Sequence, residues 1–182
     1  RPGGVLVLRP LPSTSSGPSV REMILGSEGR LGVITEVTVQ VHRIPEKRDV
    51  YAYFFPNWEA GITAMQAIAE SDATPSITRI SDAKETGFSL ATSKTRTGFS
   101  KFSAETALPN LMKAKGAAGD VSETATPWSS VVKLHAAAHK AAQDAYDSLG
   151  TKGWIMSHMS HSYHSGACLY FTFAFTFGDD PM

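Results

Sequence analysis

Three glycines spaced three residues apart dominate the stretch Gly26-Ser27-Glu28-Gly29-Arg30-Leu31-Gly32-Val33-Ile34, which runs straight into the alternating segment from Thr35 to Val41. Residues without a Cβ adopt positive φ and let main-chain N–H groups approach an anion closely. The stretch therefore has the chemistry of a cofactor cradle. Its order argues against the dinucleotide fingerprint, which follows a strand and opens a helix. Here the glycines close a short helix and open a strand, so a classical Rossmann site is not expected.

The neighbouring sequence supports that order. Ser19 to Glu22 has capping-box spacing ahead of Met23-Ile24-Leu25, with Gly26 at the C-terminal cap position. Beyond the glycines, Val33, Thr35, Val37, Val39 and Val41 alternate with polar residues at the period of a half-buried strand. Gly4 to Leu8 and Val50 to Phe55 read as further strands, and Pro45-Glu46-Lys47-Arg48 reads as a domain boundary. A helix capped by Asn57 is predicted, with Trp58, Ile62, Met65 and Ala69 as its apolar stripe, followed by a strand over Ile77 to Ser81. Thr92 to Ala118 has weak periodicity and reads as loop with some helix. Thr126-Pro127 opens the longest helix, with Val131, Leu134, Ala138, Ala141, Ala145 and Leu149 on its buried side and Gly150 at its end. Strands over Trp154 to Met159 and Ala167 to Phe177 close the chain as hairpin-like neighbours. The fold class expected is α+β.

Composition narrows the partners. Seventeen basic residues balance seventeen acidic ones, and no Lys/Arg run exists to bind nucleic acid or an anionic membrane. No apolar run reaches transmembrane length, so a soluble protein is expected. The single cysteine, Cys168, excludes an internal disulfide and reads as a small core residue; it fits a reducing, cytoplasmic location. Arg1 in place of an initiator methionine, and the turn formers Gly178 to Met182, read as the two ends of a piece of a longer protein.

Together, Gly26 to Ile34 and the strand after it, Ser122-Glu123-Thr124-Ala125 with Pro127-Trp128, and Tyr163-His164-Ser165-Gly166-Ala167-Cys168-Leu169-Tyr170-Phe171 resemble FAD-linked oxidases of the vanillyl-alcohol-oxidase type. Within that group they are most similar to alkyldihydroxyacetonephosphate synthases, in consistent order from about Gly17 to Phe175. The resemblance implies that residues 1–47 end an FAD-binding domain and that 48–182 form most of an antiparallel-sheet-and-helix cap domain. It implies FAD as cofactor, a small lipid-like substrate, and exchange of acyl for alkyl on dihydroxyacetone phosphate in ether-lipid synthesis. A homodimer, and a peroxisomal location in a eukaryote, also fit it. The first half of the family's FAD domain and its later His-rich segment have no counterpart here, and Ser93 to Ala118 is shorter than in the family. Two other functions stay open: an FAD-linked 2-hydroxyacid dehydrogenase or oxidase, and an inactive piece serving only as a binding module.

The resemblance also assigns residues. Glu28, Gly29, Arg30, Leu31, Gly32, Val33 and Ile34 are the expected cofactor contacts, the alternative being a tight helix-to-strand turn. Arg79 falls where the synthases carry an active-site arginine, so its planar fork is expected to hold a substrate phosphate or carboxylate. Its alternatives are a salt bridge to a carboxylate such as Asp82 or a place on an exposed strand face. Tyr163 matches the tyrosine that moves a proton at the substrate carbon, the alternative being a ring packed in place with its hydroxyl tied to backbone. A phenol keeps its proton at neutral pH, so that role requires nearby positive charge or hydrogen bonding, which His161 and His164 are placed to supply. No metal site is expected. In a regular strand His158 and His164 share a side while His161 points away. His135 and His139 lack the glutamate of a zinc protease and are expected to face solvent.

Overall fold

The computed structural model describes residues 4–11, 15, 17–93 and 116–177, and the chain divides into two compact units, Arg1–Tyr51 and Ala52–Met182. The expected turn at Gly178 to Met182 and most of the Thr92 to Ala118 region lie outside the described residues.

Among the described residues of the first unit one helix forms, α1 (Val20–Ile24). Ser19 caps it, its hydroxyl accepting the Glu22 N–H at 3.4 Å, and Gly26 follows the C-terminal cap with φ of 77°. The strands expected over Gly4 to Leu8 and over the Val33 to Val41 alternation do not form ladders, nor does Val50 to Phe55 at the junction of the units. Alternation supplies a face, but a strand exists only through a partner. None of the described residues pairs with these stretches, and Val33, Val37, Val39 and Val41 are exposed.

The second unit is an antiparallel sheet with helices against it, which bears out the α+β class. Helix α2 (Trp58–Glu70) starts where Asn57 accepts the Ala60 N–H at 2.8 Å. It buries Ile62 and Met65. Strand β1 is short (Ile80–Ser81), since pairing begins only at Ile80, later than the alternation from Ile77 suggests. Helix α3 (Ala83–Ser93) and strand β2 (Ala117–Pro127) are elements the sequence reading did not assign. Helix α4 (Trp128–Ser148) starts one residue later than the Thr126-Pro127 signal: Thr126 still pairs with Ala167 in the sheet, which holds it extended. Strands β3 (Gly153–Tyr163) and β4 (Gly166–Thr176) form a hairpin with a two-residue turn, and the sheet order is β1-β3-β4-β2.

The core lies where α2 and α4 cover one face of this sheet. Val131, Met159 and Leu169 are fully buried there, joined by Ile155, Ala167 and Phe171. Burial of this apolar area is the main force holding the layers together. On α4 the buried line is Trp128, Val131 and Tyr146, with Ala138 and Ala142 partly buried. Ala141, Ala145 and Leu149, expected on the buried side, are exposed. Ala145 and Leu149 instead line an apolar groove of about 510 Å³ between α4 and the sheet. Gly166 is required by packing: a Cβ there would run into the Thr126 backbone carbonyl.

Candidate active site

The register of β3 against β4 decides which side chains share a surface. Directly opposed residues of an antiparallel pair point to the same side. Along β4, Ala167, Leu169 and Phe171 are buried under the helices, while Cys168 and Tyr170 are half-buried on the other, open side. Cys168 is thus a residue of the open face rather than of the core. His158 lies opposite Tyr170 and belongs to the same side. A bulge between Met159 and His161 then shifts the register, so that His161 falls opposite Cys168 and Tyr163 opposite Gly166. His158, His161 and Tyr163 therefore share the open face. The expectation that His161 points away from His158 is overturned by that bulge. Ser81, opposite His158, and Glu123, opposite Tyr170, belong to the same face.

Arg79 stands at the β1 edge of this face. Its Nη2 donates to Glu85 Oε1 at 2.7 Å, and His158 Nδ1 is 2.8 Å from the same oxygen. Arginine has no acceptor and a carboxylate no donor. The imidazole Nδ1–H therefore donates to Glu85, which leaves Arg79 bonded to the carboxylate and only adjacent to the ring at 3.1 Å. Glu85 is buried, whereas the Arg79 side chain is 51% exposed. The carboxylate is the desolvated partner, and the rest of the guanidinium fork remains open to solvent. The salt-bridge alternative for Arg79 thus exists, with Glu85 rather than Asp82 as its acid. Glu85 Oε2 is buried with no hydrogen-bond partner among the described residues. The His158 ring stacks on Tyr170 with centroids 4.8 Å apart.

Tyr163 is the last residue of β3 and is 55% exposed. Its carbonyl accepts the Trp128 Nε1–H at 3.0 Å, and the His164 carbonyl shares that donor at 3.2 Å. The buried indole at the start of α4 therefore fixes the hairpin end and leaves the phenol free. Among the described residues, neither His161 nor His164 hydrogen-bonds the Tyr163 hydroxyl.

A second polar cluster lies on the helix-covered side. Asp82 caps α3, its Oδ1 accepting the Glu85 N–H at 2.8 Å. Its Oδ2 accepts both the Ser157 N–H and the Ser157 Oγ–H at 2.9 Å. His135 and His139, one turn apart on α4, bring their Nε2 atoms to 3.3 Å from the same Oδ2. Burial alone would push the Asp82 carboxyl up. Hydrogen bonds from His135, His139, the Glu85 N–H and Ser157 outweigh it and hold the group well below the usual carboxylate range. The two histidines are only 17% and 16% exposed, which corrects the expectation that they face solvent. Their spacing carried the signal: His135 lies four residues after the buried Val131, on the core-facing side of α4. Asp82 carried one too, because Asp82-Ala83-Lys84-Glu85 has the spacing of a helix N-terminus.

In the first unit, the glycine segment forms a turn in which the Arg30 N–H donates to the Ser27 carbonyl at 2.9 Å. Glu28 and Gly29 both have positive φ, 51° and 80°. Open space surrounds the position a Gly29 Cβ would take. Gly26, Ser27, Glu28, Arg30 and Leu31 line an open hollow of about 480 Å³.

Known proteins resemble this chain over much of its length. Residues 44–108 and 100–180 match the family described as FAD linked oxidases, C-terminal domain. An alkyldihydroxyacetonephosphate synthase of Dictyostelium discoideum is 25% identical over 238 residues, covering 95% of this chain and 39% of the relative. The corresponding protein of Caenorhabditis elegans is 40% identical over 72 residues, 40% of this chain and 12% of the relative. An FAD-linked oxidoreductase of Escherichia coli is 34% identical over 84 residues, 46% of this chain and 17% of that protein. The chain thus spans about two fifths of the length of the Dictyostelium relative and less of the others. A solved alkyldihydroxyacetonephosphate synthase structure superposes with a TM-score of 0.71 at 24% identity, covering 97% of this chain and 44% of its own. With its sheet, its helices and most of its length accounted for in this way, the chain belongs to the FAD-linked oxidases and carries their C-terminal domain.

Proposed function

We propose that this chain supplies the substrate-facing part of an FAD-dependent enzyme that exchanges acyl for alkyl on dihydroxyacetone phosphate. The observation that carries the reading is the β3 bulge, which brings His158, His161 and Tyr163 onto one open face with the Arg79–Glu85 pair at its edge. On this reading residues 1–47 end the FAD-binding domain and 48–182 are the cap. Main-chain groups of Glu28, Gly29, Arg30, Leu31, Gly32, Val33 and Ile34 hold the cofactor, as the uncrowded turn permits. FAD, when bound, supplies an electron sink beside the reacting carbon.

The protein's own residues do the rest. Arg79, tethered through one nitrogen to Glu85, presents its free N–H groups to the substrate phosphate. Tyr163 takes a proton from the substrate carbon and returns it. In the overall change the bond between that carbon and the acyl oxygen breaks, a fatty acid leaves, and the oxygen of a fatty alcohol forms the ether bond, with no net oxidation. The substrate is lipid-like, and no helix among the described residues is long and apolar enough to cross a membrane.

The test is a turnover assay on a flavin-loaded polypeptide carrying this chain. Acyl-dihydroxyacetone phosphate and a long-chain alcohol should release one fatty acid per ether formed and leave the flavin oxidised at steady state. Bleaching of the flavin by a 2-hydroxyacid, without ether formation, would instead identify a dehydrogenase, the chemistry suggested by the oxidoreductase relative.

A further inference from the structure

Asp82, His135 and His139 converge in a way that neither the sheet's open face nor the flavin chemistry uses. Their ligand atoms all lie within 4.8 Å of one another. Both Nε2 atoms are 3.3 Å from Asp82 Oδ2. An optimal N–H···O hydrogen bond is shorter, about 2.9 Å. A zinc ion bonded at about 2.0 Å to imidazole and carboxylate in a tetrahedron sets its ligands about 3.3 Å apart. The two nitrogen-to-oxygen separations equal that spacing and lie just beyond the usual hydrogen-bond range.

Without an ion, the Ser157 N–H and Oγ–H donate to Oδ2 at 2.9 Å, and His139 Nε2 also lies 3.3 Å from Ser157 Oγ. With the Ser157 hydroxyl turned away, imidazoles that present lone pairs would face the carboxylate across a cation. The surroundings have the form expected around such an ion: Ser157 and the Glu85 N–H fix the carboxylate, and Trp58 stacks on the His135 ring at 4.6 Å. The i, i+4 spacing on one helix places two imidazoles together, and the cap of α3 supplies the third ligand.

We propose that Asp82, His135 and His139 form a binding site for a first-row divalent metal ion, with zinc the natural fit to two imidazoles and a carboxylate. The site ties α3, α4 and β3 together beneath the sheet, so its role is structural. It uses none of Tyr163, His158 or Arg79, and it stands or falls separately from flavin binding or turnover.

The experiment strips the full 182-residue chain with a chelator, adds Zn²⁺ alone against a chromophoric competitor, and repeats the titration with Co²⁺ to read the visible ligand-field bands. Expected are one equivalent of metal bound, a four-coordinate cobalt spectrum, and a rise in thermal midpoint. Ser157→Ala, which only loosens the carboxylate, should weaken zinc about 10- to 100-fold. His139→Gln should remove the cobalt bands, while His161→Gln should leave them unchanged. A folded wild-type chain that takes up no zinc overturns the proposal without recourse to any variant, and shows a metal-free network in which the two imidazoles hydrogen-bond Asp82 and Ser157. Zinc bound equally well by His139→Gln overturns it too.

Discussion

On the helix-covered side of the sheet, Met159 and Leu169 are fully buried and their neighbours are apolar, apart from the Asp82 cluster. On the open side, one residue along on the same strands, His158, Tyr170 and Tyr163 range from partly buried to exposed, and the polar groups there are only partly partnered. The strands and their register are shared, so backbone geometry does not distinguish the two faces. What differs is what the helices cover. The covered face sustains most of the fold; the open face still buries Met156 and Ala174, and toward His161 and Tyr163 it is left clear to carry groups that are costly to bury.

The largest effect expected from this contrast is on the covered face. Leu169→Ala removes a fully buried side chain whose neighbours cannot collapse freely, and should cost about 4 kcal/mol in the denaturant unfolding of the chain. A loss under about 1 kcal/mol would show that this face is not the core.

An intermediate effect is expected at the edge between the faces. Glu85→Gln takes the charge from a buried carboxylate that both Arg79 and His158 use, at about 2 kcal/mol of stability. Its functional consequence should be selective. With Arg79 no longer held, KM for the proposed phosphate-bearing substrate should rise roughly tenfold while kcat changes less. An unchanged KM would show that Glu85 serves only the fold.

Much of this architecture was legible because it is local. The caps at Ser19 and Asn57, the alternation from Leu169 to Phe173, and the existence of the long helix ending before Gly150 are all set within a few residues of sequence. The missed elements fail for different reasons. Strand β2 is nearly all exposed, so its Ser-Glu-Thr-Ala wording carries no hydrophobic period to read. Helix α3 had a readable start at Asp82, hidden by the expectation that the strand simply ends there. The β3 bulge is a property of how two strands align, and no period in either strand alone announces it. Conversely, the valines from Val33 to Val41 have an unambiguous period but no partner among the described residues, so pattern without pairing produced no strand. The meeting of Asp82 with His135 and His139 joins positions more than fifty residues apart in sequence, which only the packing of α4 on the sheet decides.

The smallest stability effect belongs to Tyr163, exposed at the end of β3 and anchored through its backbone carbonyl rather than its ring. Tyr163→Phe should shift unfolding by less than about 0.5 kcal/mol. The same change tests the account's central claim, that the open face performs the chemistry. In a complete flavin-loaded enzyme carrying this chain, ether formation by Tyr163→Phe should fall at least about 100-fold, with flavin content and thermal midpoint unaltered. Turnover equal to that of the unmodified enzyme would contradict the claim and remove Tyr163 from the reaction.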